Sequence, residues 1–138
     1  MSKAAPYEMI NGLSEVIGKY DAVILDLWGV VHDGVTPYPN SVAAMTALKE
    51  AGIPVALLSN APRRSSVVVK RMEDMGIARD LYGPAVASGE IAYRQLVDRT
   101  DPWYAKLGRK VLMVGPVRDM SMFEKQDVEI VKTVEDAD

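Results

Sequence analysis

Ala22-Val23-Ile24-Leu25-Asp26-Leu27-Trp28-Gly29 is the stretch whose reading decides the fold. Its first four residues are continuously apolar. The run is too short for a buried helix and suits a β-strand covered on both faces. It stops at Asp26, and Gly29, Asp33, Gly34, Pro37 and Pro39 follow, which is loop chemistry. Downstream, residues 41–51 fit a helix, with Val42, Met45 and Leu48 at helical spacing and Gly52 just past the end. Pro54-Val55-Ala56-Leu57-Leu58 repeats the strand pattern, with proline at the first residue, where a lost donor matters least. It runs out into Ser59-Asn60-Ala61-Pro62. A second helix is predicted over about 64–75, with Val68, Met72 and Met75 on one face and Gly76 as its stop. Ala85-Val86-Ala87 reads as a third strand. Ser88 can cap a helix running to about Val97, with Glu90 in its first turn. Asp101-Pro102 opens another helical turn. Lys110 to Val114 and Val128 to Val131 complete the strands. Upstream, Met9, Ile10, Leu13 and Ile17 suggest a short amphipathic helix, and residues 1–8 read as frayed.

Strands that alternate with helices predict an α/β fold, a Rossmann-like, doubly wound parallel sheet. Sites in such sheets lie beyond the carboxyl ends of the strands. That rule singles out Asp26 and Ser59-Asn60, far apart in sequence and candidates to be neighbours in space.

Composition narrows the functional classes. The chain has 138 residues, 49% of them apolar and 25% charged, so it can bury a core and disorder is excluded as a default. The net charge of −3 argues against a general nucleic-acid binder. Without cysteine there is no disulfide framework and no thiolate metal site. A single histidine, His32, excludes a His-rich metal centre. Lys3, Pro6, Glu8 and Glu15 break the first twenty residues, which do not read as a signal peptide, and no apolar run approaches a membrane span. A cytoplasmic chain with no membrane partner is the simplest expectation.

A carboxylate at a strand end can be a nucleophile, a metal ligand or a cap for the next turn. Gly29 and Gly34 permit a hairpin after Asp26 that can fold over a substrate. Ser59 and Asn60 offer short polar side chains and backbone amides, which either hold an anion or cap the following loop.

Val23-Ile24-Leu25-Asp26-Leu27-Trp28-Gly29-Val30 resembles motif I of the haloacid dehalogenase-like (HAD) hydrolases, and Val55-Ala56-Leu57-Leu58-Ser59-Asn60 resembles motif II. The stretch from Asp26 to Arg64 is similar to subfamily IIA, which includes the NagD-like and nitrophenylphosphatase-like phosphatases. Val86-Ala87-Ser88-Gly89-Glu90 resembles the strand end that follows there, and Lys110 to Gly115 resembles the first strand of that subfamily's cap domain. The resemblance implies an N-terminal extension at 1–19, the N-terminal part of a HAD-like core at 20–108, and the beginning of a truncated cap at 109–138. It implies that Asp26 is the nucleophile, attacking a phosphoryl group to give an aspartyl-phosphate that water cleaves. It also implies Mg²⁺ held by the Asp26 carboxylate and the Trp28 carbonyl, with the phosphoryl group bound by Ser59 and the Asn60 amide.

Three departures qualify that pattern. The residue two past the nucleophile is normally the general acid, and here it is Trp28, whose indole cannot shuttle a proton. Loss of a general acid typically costs about 10²–10⁴ in rate; Asp33 or His32 in the same loop are the candidate substitutes. The family's lysine (motif III) and second acid (motif IV) normally lie after the cap, and no matching segment is found. The cap itself is only begun. The chain is therefore read as an N-terminal piece of a longer hydrolase, incompetent alone, with an exposed sheet edge that favours self-association. The expected function is a Mg²⁺-dependent phosphatase of a small phosphomonoester. The alternatives are a non-catalytic module that binds a phosphorylated ligand, and a carbon–halogen hydrolase, since superfamily dehalogenases carry an aromatic residue at that position.

The other features favour plain readings. His32 reads as a solvated or lightly packed loop residue. Gly29-x₄-Gly34 is followed by Val35-Thr36, which excludes a phosphate loop. A receiver domain would need an acidic pair before the first strand, where only Asp21 is found. Arg63 and Arg64 read as a solvated helix start, with substrate contact by Arg63 the lesser reading. Trp103 and Tyr104 read as core. The stretch from Met113 to Met122 matches no recognisable motif.

Overall fold

A computed structural model describes residues 9–138; the frayed reading of residues 1–8 lies outside them. The element order is β1 (Val23–Leu25), α1 (Pro39–Glu50), β2 (Val55–Ser59), α2 (Ser65–Asp74), β3 (Ala85–Ala87), α3 (Ser88–Asp98), α4 (Pro102–Ala105), β4 (Lys110–Leu112) and β5 (Glu129–Val131). The predicted N-terminal helix is instead two short 3-10 turns, Leu13–Glu15 and Ile17–Lys19. The segments are too short for a helix to propagate between the glycines at 12 and 18.

The first three strands form a parallel sheet in the order β1-β2-β3. Val23 pairs with Val55, Leu25 with Leu57, and Ser59 with Ala87, so Asp26 and Ser59 emerge at the same end of adjacent strands. The fold is α/β and Rossmann-like. Both crossovers step the same way across the sheet, and right-handed connections then set α1 and α2 on one face. α1 starts two residues earlier than its apolar spacing indicated, because Pro39 occupies its first turn, where a missing N–H costs nothing. Both helices end in the same way. The Gly52 N–H donates to the Lys49 carbonyl and the Ile53 N–H to that of Leu48; Gly76 and Ile77 repeat this onto Glu73 and Met72. Each ending points the chain back to the sheet; Ile77 is buried in the core and Ile53 packs against it.

That core is one cluster: Leu27 and Val31 from the loop after β1, Met45 and Leu48 from α1, Val55 and Leu57 from β2, Val68 and Met72 from α2. Burying each such side chain contributes about 1.5–3 kcal/mol before entropy is subtracted. The opposite sheet face is bare. Ile24 is 69% exposed, Leu58 53% and Val86 39%. The expectation of strands covered on both faces fails here, since α1 and α2 cover only one.

β4 and β5 pair in parallel as a separate two-stranded sheet. A 3-10 segment, Val117–Phe123, links them. The acidic end does not fray: the Asp138 carboxylate accepts the N–H groups of Arg109 (2.9 Å) and Lys110 (3.1 Å), and Thr133 donates to Asp136 at 2.7 Å. Trp103 is exposed and stacks edge-on with Tyr104 rather than entering the core. Among the described residues no helix is long and apolar enough to cross a membrane.

Candidate active site

Asp26, Trp28, Ser59 and Asn60, the four residues singled out in the sequence, line one cavity of about 330 Å³. They come together because β1 and β2 are parallel neighbours and both run out at the same edge. Ala61, Pro62, Arg63, Arg118 and Asp119 complete its wall. Asp26 is exposed to the cavity. One carboxylate oxygen, Oδ1, accepts the Leu27 N–H at 2.7 Å and the other is uncommitted. Ser59 is buried, and its Oγ accepts the Ala61 N–H at 3.3 Å, which leaves the hydroxyl proton free to donate. Among the described residues no acceptor takes the Asn60 N–H. The cavity thus offers one carboxylate facing two hydrogen-bond donors.

The Trp28 indole, a donor only, is no substitute acid for this cavity. The indole folds over its own loop, 54% exposed, edge-on to His32 with ring centroids 5.6 Å apart. It lies on Gly34 so closely that a β-carbon there would sit 2.1 Å from the ring. Gly34 has φ +94°, so both its backbone angle and this contact require glycine. Arg71 of α2 donates to the Gly34 carbonyl at 2.8 Å and holds the loop against the helix.

His32 is buried, not solvated as its loop setting suggested. Its Nδ1 accepts the Gly34 N–H at 3.0 Å, which requires a neutral ring with the proton on the other nitrogen. Burial lowers its pKa, opposed first by Asp33. Asp33 is spent on a turn: its Oδ1 accepts the N–H groups of Val35 and Thr36 and its Oδ2 the Thr36 hydroxyl. Those bonds, the one from the Thr36 N–H foremost, hold its carboxyl below the usual range. Neither residue lines the cavity of Asp26. The loop supplies no general acid there.

The loop after β2 is the part of the site that pattern reading undervalued. Arg63 and Arg64 are not a solvated helix start. Arg63 Nε donates to the buried Asp119 Oδ1 at 2.6 Å. Arg64 Nε donates to Glu90 Oε2 at 2.7 Å and its guanidinium lies 3.3 Å over the Tyr93 ring. Glu90 accepts the Ser65 N–H as well (3.1 Å), and Arg94 Nε at 3.2 Å. The Arg64 hydrogen bond is the first cause of its lowered pKa, with burial opposing it. Glu90 is therefore a clamp more than a helix-dipole partner. Ser88 is the first helical residue, not the cap, and its Oγ donates to the Ala61 carbonyl at 3.1 Å. Gly89 lets α3 press onto the same loop, since a β-carbon would fall 2.2 Å from Arg63 N. Asp119 and Ser121 hold the loop from the other side, the Ser121 hydroxyl accepting the Arg64 N–H at 3.3 Å. No local motif marks these two residues. Only the chain's return after β4 brings them to the site.

The family model for haloacid dehalogenase-like hydrolases matches residues 23–129. The chain belongs to that family. Among solved structures, a haloacid dehalogenase-like hydrolase from Brucella suis 1330 is 28% identical, with a TM-score of 0.79 over 93% of this chain and 44% of that one. A 4-nitrophenylphosphatase from Thermotoga maritima (23% identity, TM-score 0.57, 85% and 42% covered) shares the fold. So does NagD from E. coli K-12 (23%, 0.50, 80% and 42%). The chain spans less than half the length of these structures. No curated protein matches it.

The donor set suits a hard divalent cation. The free Asp26 oxygen and the Trp28 carbonyl, which accepts no hydrogen bond among the described residues, are both oxygen ligands. Among those residues no group of three or more His, Cys, Asp or Glu forms a ready metal cage. Two protein oxygens would suit Mg²⁺, an ion that usually keeps several of its waters.

Proposed function

We propose that this chain forms the nucleophile-bearing part of a cytoplasmic phosphatase acting on a small phosphomonoester. The observation that carries the reading is the convergence of Asp26, Ser59 and Asn60 on one cavity in a chain of the HAD family. The free Asp26 oxygen attacks phosphorus, the bond from phosphorus to the ester oxygen breaks, and the departing alkoxide takes a proton from solvent, since the other carboxylate in the cavity wall, Asp119, is held by Arg63 at 2.6 Å. Water then cleaves the aspartyl-phosphate and regenerates the carboxylate. The Ser59 hydroxyl and the Asn60 N–H donate to phosphoryl oxygens as charge builds on them. Asp26 and the Trp28 carbonyl would hold Mg²⁺, which would supply charge neutralisation when bound. Residues 109–138 are proposed as the start of the cap.

The folded-back indole favours a second reading: a module that binds a phosphorylated ligand and does not turn it over. One experiment separates them. The native protein from its source, and this chain beside it, are given Mg²⁺ and a panel of phosphomonoesters. Phosphate release by the native protein, lost on Asp26→Asn and on EDTA, supports the enzyme. Retained binding of the same esters with no phosphate released sinks the enzyme and supports the module.

A further inference from the structure

Arg118 stands apart from the other charges around the cavity. Asp26 carries a free carboxylate oxygen, and Arg63 and Asp119 neutralise each other at 2.6 Å. Arg118 lines the same cavity, is exposed, and pairs with no carboxylate among the described residues. Its position is not that of a loose surface arginine. The next residue, Asp119, is buried and locked to Arg63, and Ser121 accepts from the Arg64 backbone at 3.3 Å. The 3-10 segment is thus pinned to the loop after β2 at Asp119 and Ser121, just beyond Arg118, which fixes where that side chain begins. A guanidinium is a preorganised fork for a carboxylate or phosphate and is charged at every working pH. At about 330 Å³ the cavity is at the small end for ligand sites, so a substrate bound at Asp26 has its remaining groups close to this wall.

We infer that Arg118 is a specificity-determining residue that recognises a second anionic group on the substrate, so that the ligand is a small phosphomonoester carrying a carboxylate or another phosphate. This rests on the phosphoester reading above and adds the substrate class to it. The phosphoryl group sits with Ser59 and Asn60, and the second anion pairs with Arg118 across the cavity. Arg118 is exposed, so this pairing selects for the second charge and is weakened by salt.

Two commercial probes test it on the chain as it stands, by calorimetry at fixed ionic strength. Glycerol 3-phosphate has one anionic group and 3-phosphoglycerate has two. The native chain is expected to bind the second at least about tenfold tighter, the equivalent of about 1.4 kcal/mol. Arg118→Gln should weaken 3-phosphoglycerate much more than glycerol 3-phosphate and so remove that preference, and Arg118→Lys should keep part of it. An unaltered circular dichroism spectrum establishes that each variant is folded; if Arg118→Gln is not, Arg118→Lys and the native comparison decide. Equal binding of the two probes by the native chain overturns the inference and leaves the phosphoester reading standing, as does a preference that survives Arg118→Gln. Failure to bind either probe overturns both.

Discussion

The two faces of the three-stranded sheet carry the same kinds of residue and meet opposite environments. On one face Val55 and Leu57 lie at 4% and 1% exposure, packed with Leu48, Val68 and Met72. On the other, Ile24, Leu58 and Val86 are open to solvent. Strand residues alternate between faces, so Leu57 and Leu58, adjacent and identical, sit on opposite sides. An apolar run in a strand therefore records what the strand is built to be covered by, not what covers it in a given chain. Here one covering layer is α1 and α2. The other face bears a contiguous apolar strip of the sort that marks an interaction surface.

The largest expected effect comes from the covered face. Leu57→Ala removes a fully buried side chain from the middle of the central strand. It should destabilise the fold by about 2–5 kcal/mol in urea unfolding followed by circular dichroism. A loss under about 1 kcal/mol would mean that the inner face is not the core, and the comparison would collapse.

A smaller effect sharpens the same contrast through a polar group on the covered side. His32 is buried beside Leu27 and Val31, with its Nδ1 committed to the Gly34 N–H. Its pKa is lowered in the folded chain, chiefly by burial. The unfolded chain consequently takes up the proton first as pH falls. The stabilisation is fully present above about 6.5, the ordinary histidine value, and is lost progressively below it. Stability measured between pH 7 and pH 5 should decline, by less than Leu57→Ala costs, and His32→Asn should flatten the slope. A slope of the opposite sign would show that the buried ring is held charged.

Much of this was legible in the sequence, for physical reasons that also explain the failures. Strand ends are fixed by where an apolar run meets a polar residue. Asp26 and Ser59 could therefore be paired across thirty-odd residues, about the length of one βαβ unit. What sequence periodicity cannot carry is long-range neutralisation. Arg63 and Arg64 look like surface charge because their partners, Asp119 and Glu90, come 56 and 26 residues later. His32 misleads for a different reason. A polar loop flanked by glycines suggests solvent, yet Leu27 and Val31 draw that loop into the core, and Trp28 covers Gly34 from outside.

The smallest effect on stability should come from the bare face, and it is the most direct measure of what that face does. Leu58→Thr exchanges an exposed apolar side chain for a β-branched polar one in a strand, and should alter monomer stability by no more than about 0.5 kcal/mol. Its effect should appear instead in association. The strip of Ile24, Leu58 and Val86, with β1 and β3 as edges unpaired among the described residues, is expected to make the native chain self-associate in sedimentation at high concentration. Leu58→Thr combined with Ile24→Thr should shift it toward monomer while leaving the urea midpoint of the dilute protein in place. A native chain that remains monomeric would break this half of the comparison, because an apolar face of that kind would then be tolerated in water without a partner. A double variant that unfolds would break it differently, by showing that the bare face contributes to the core after all.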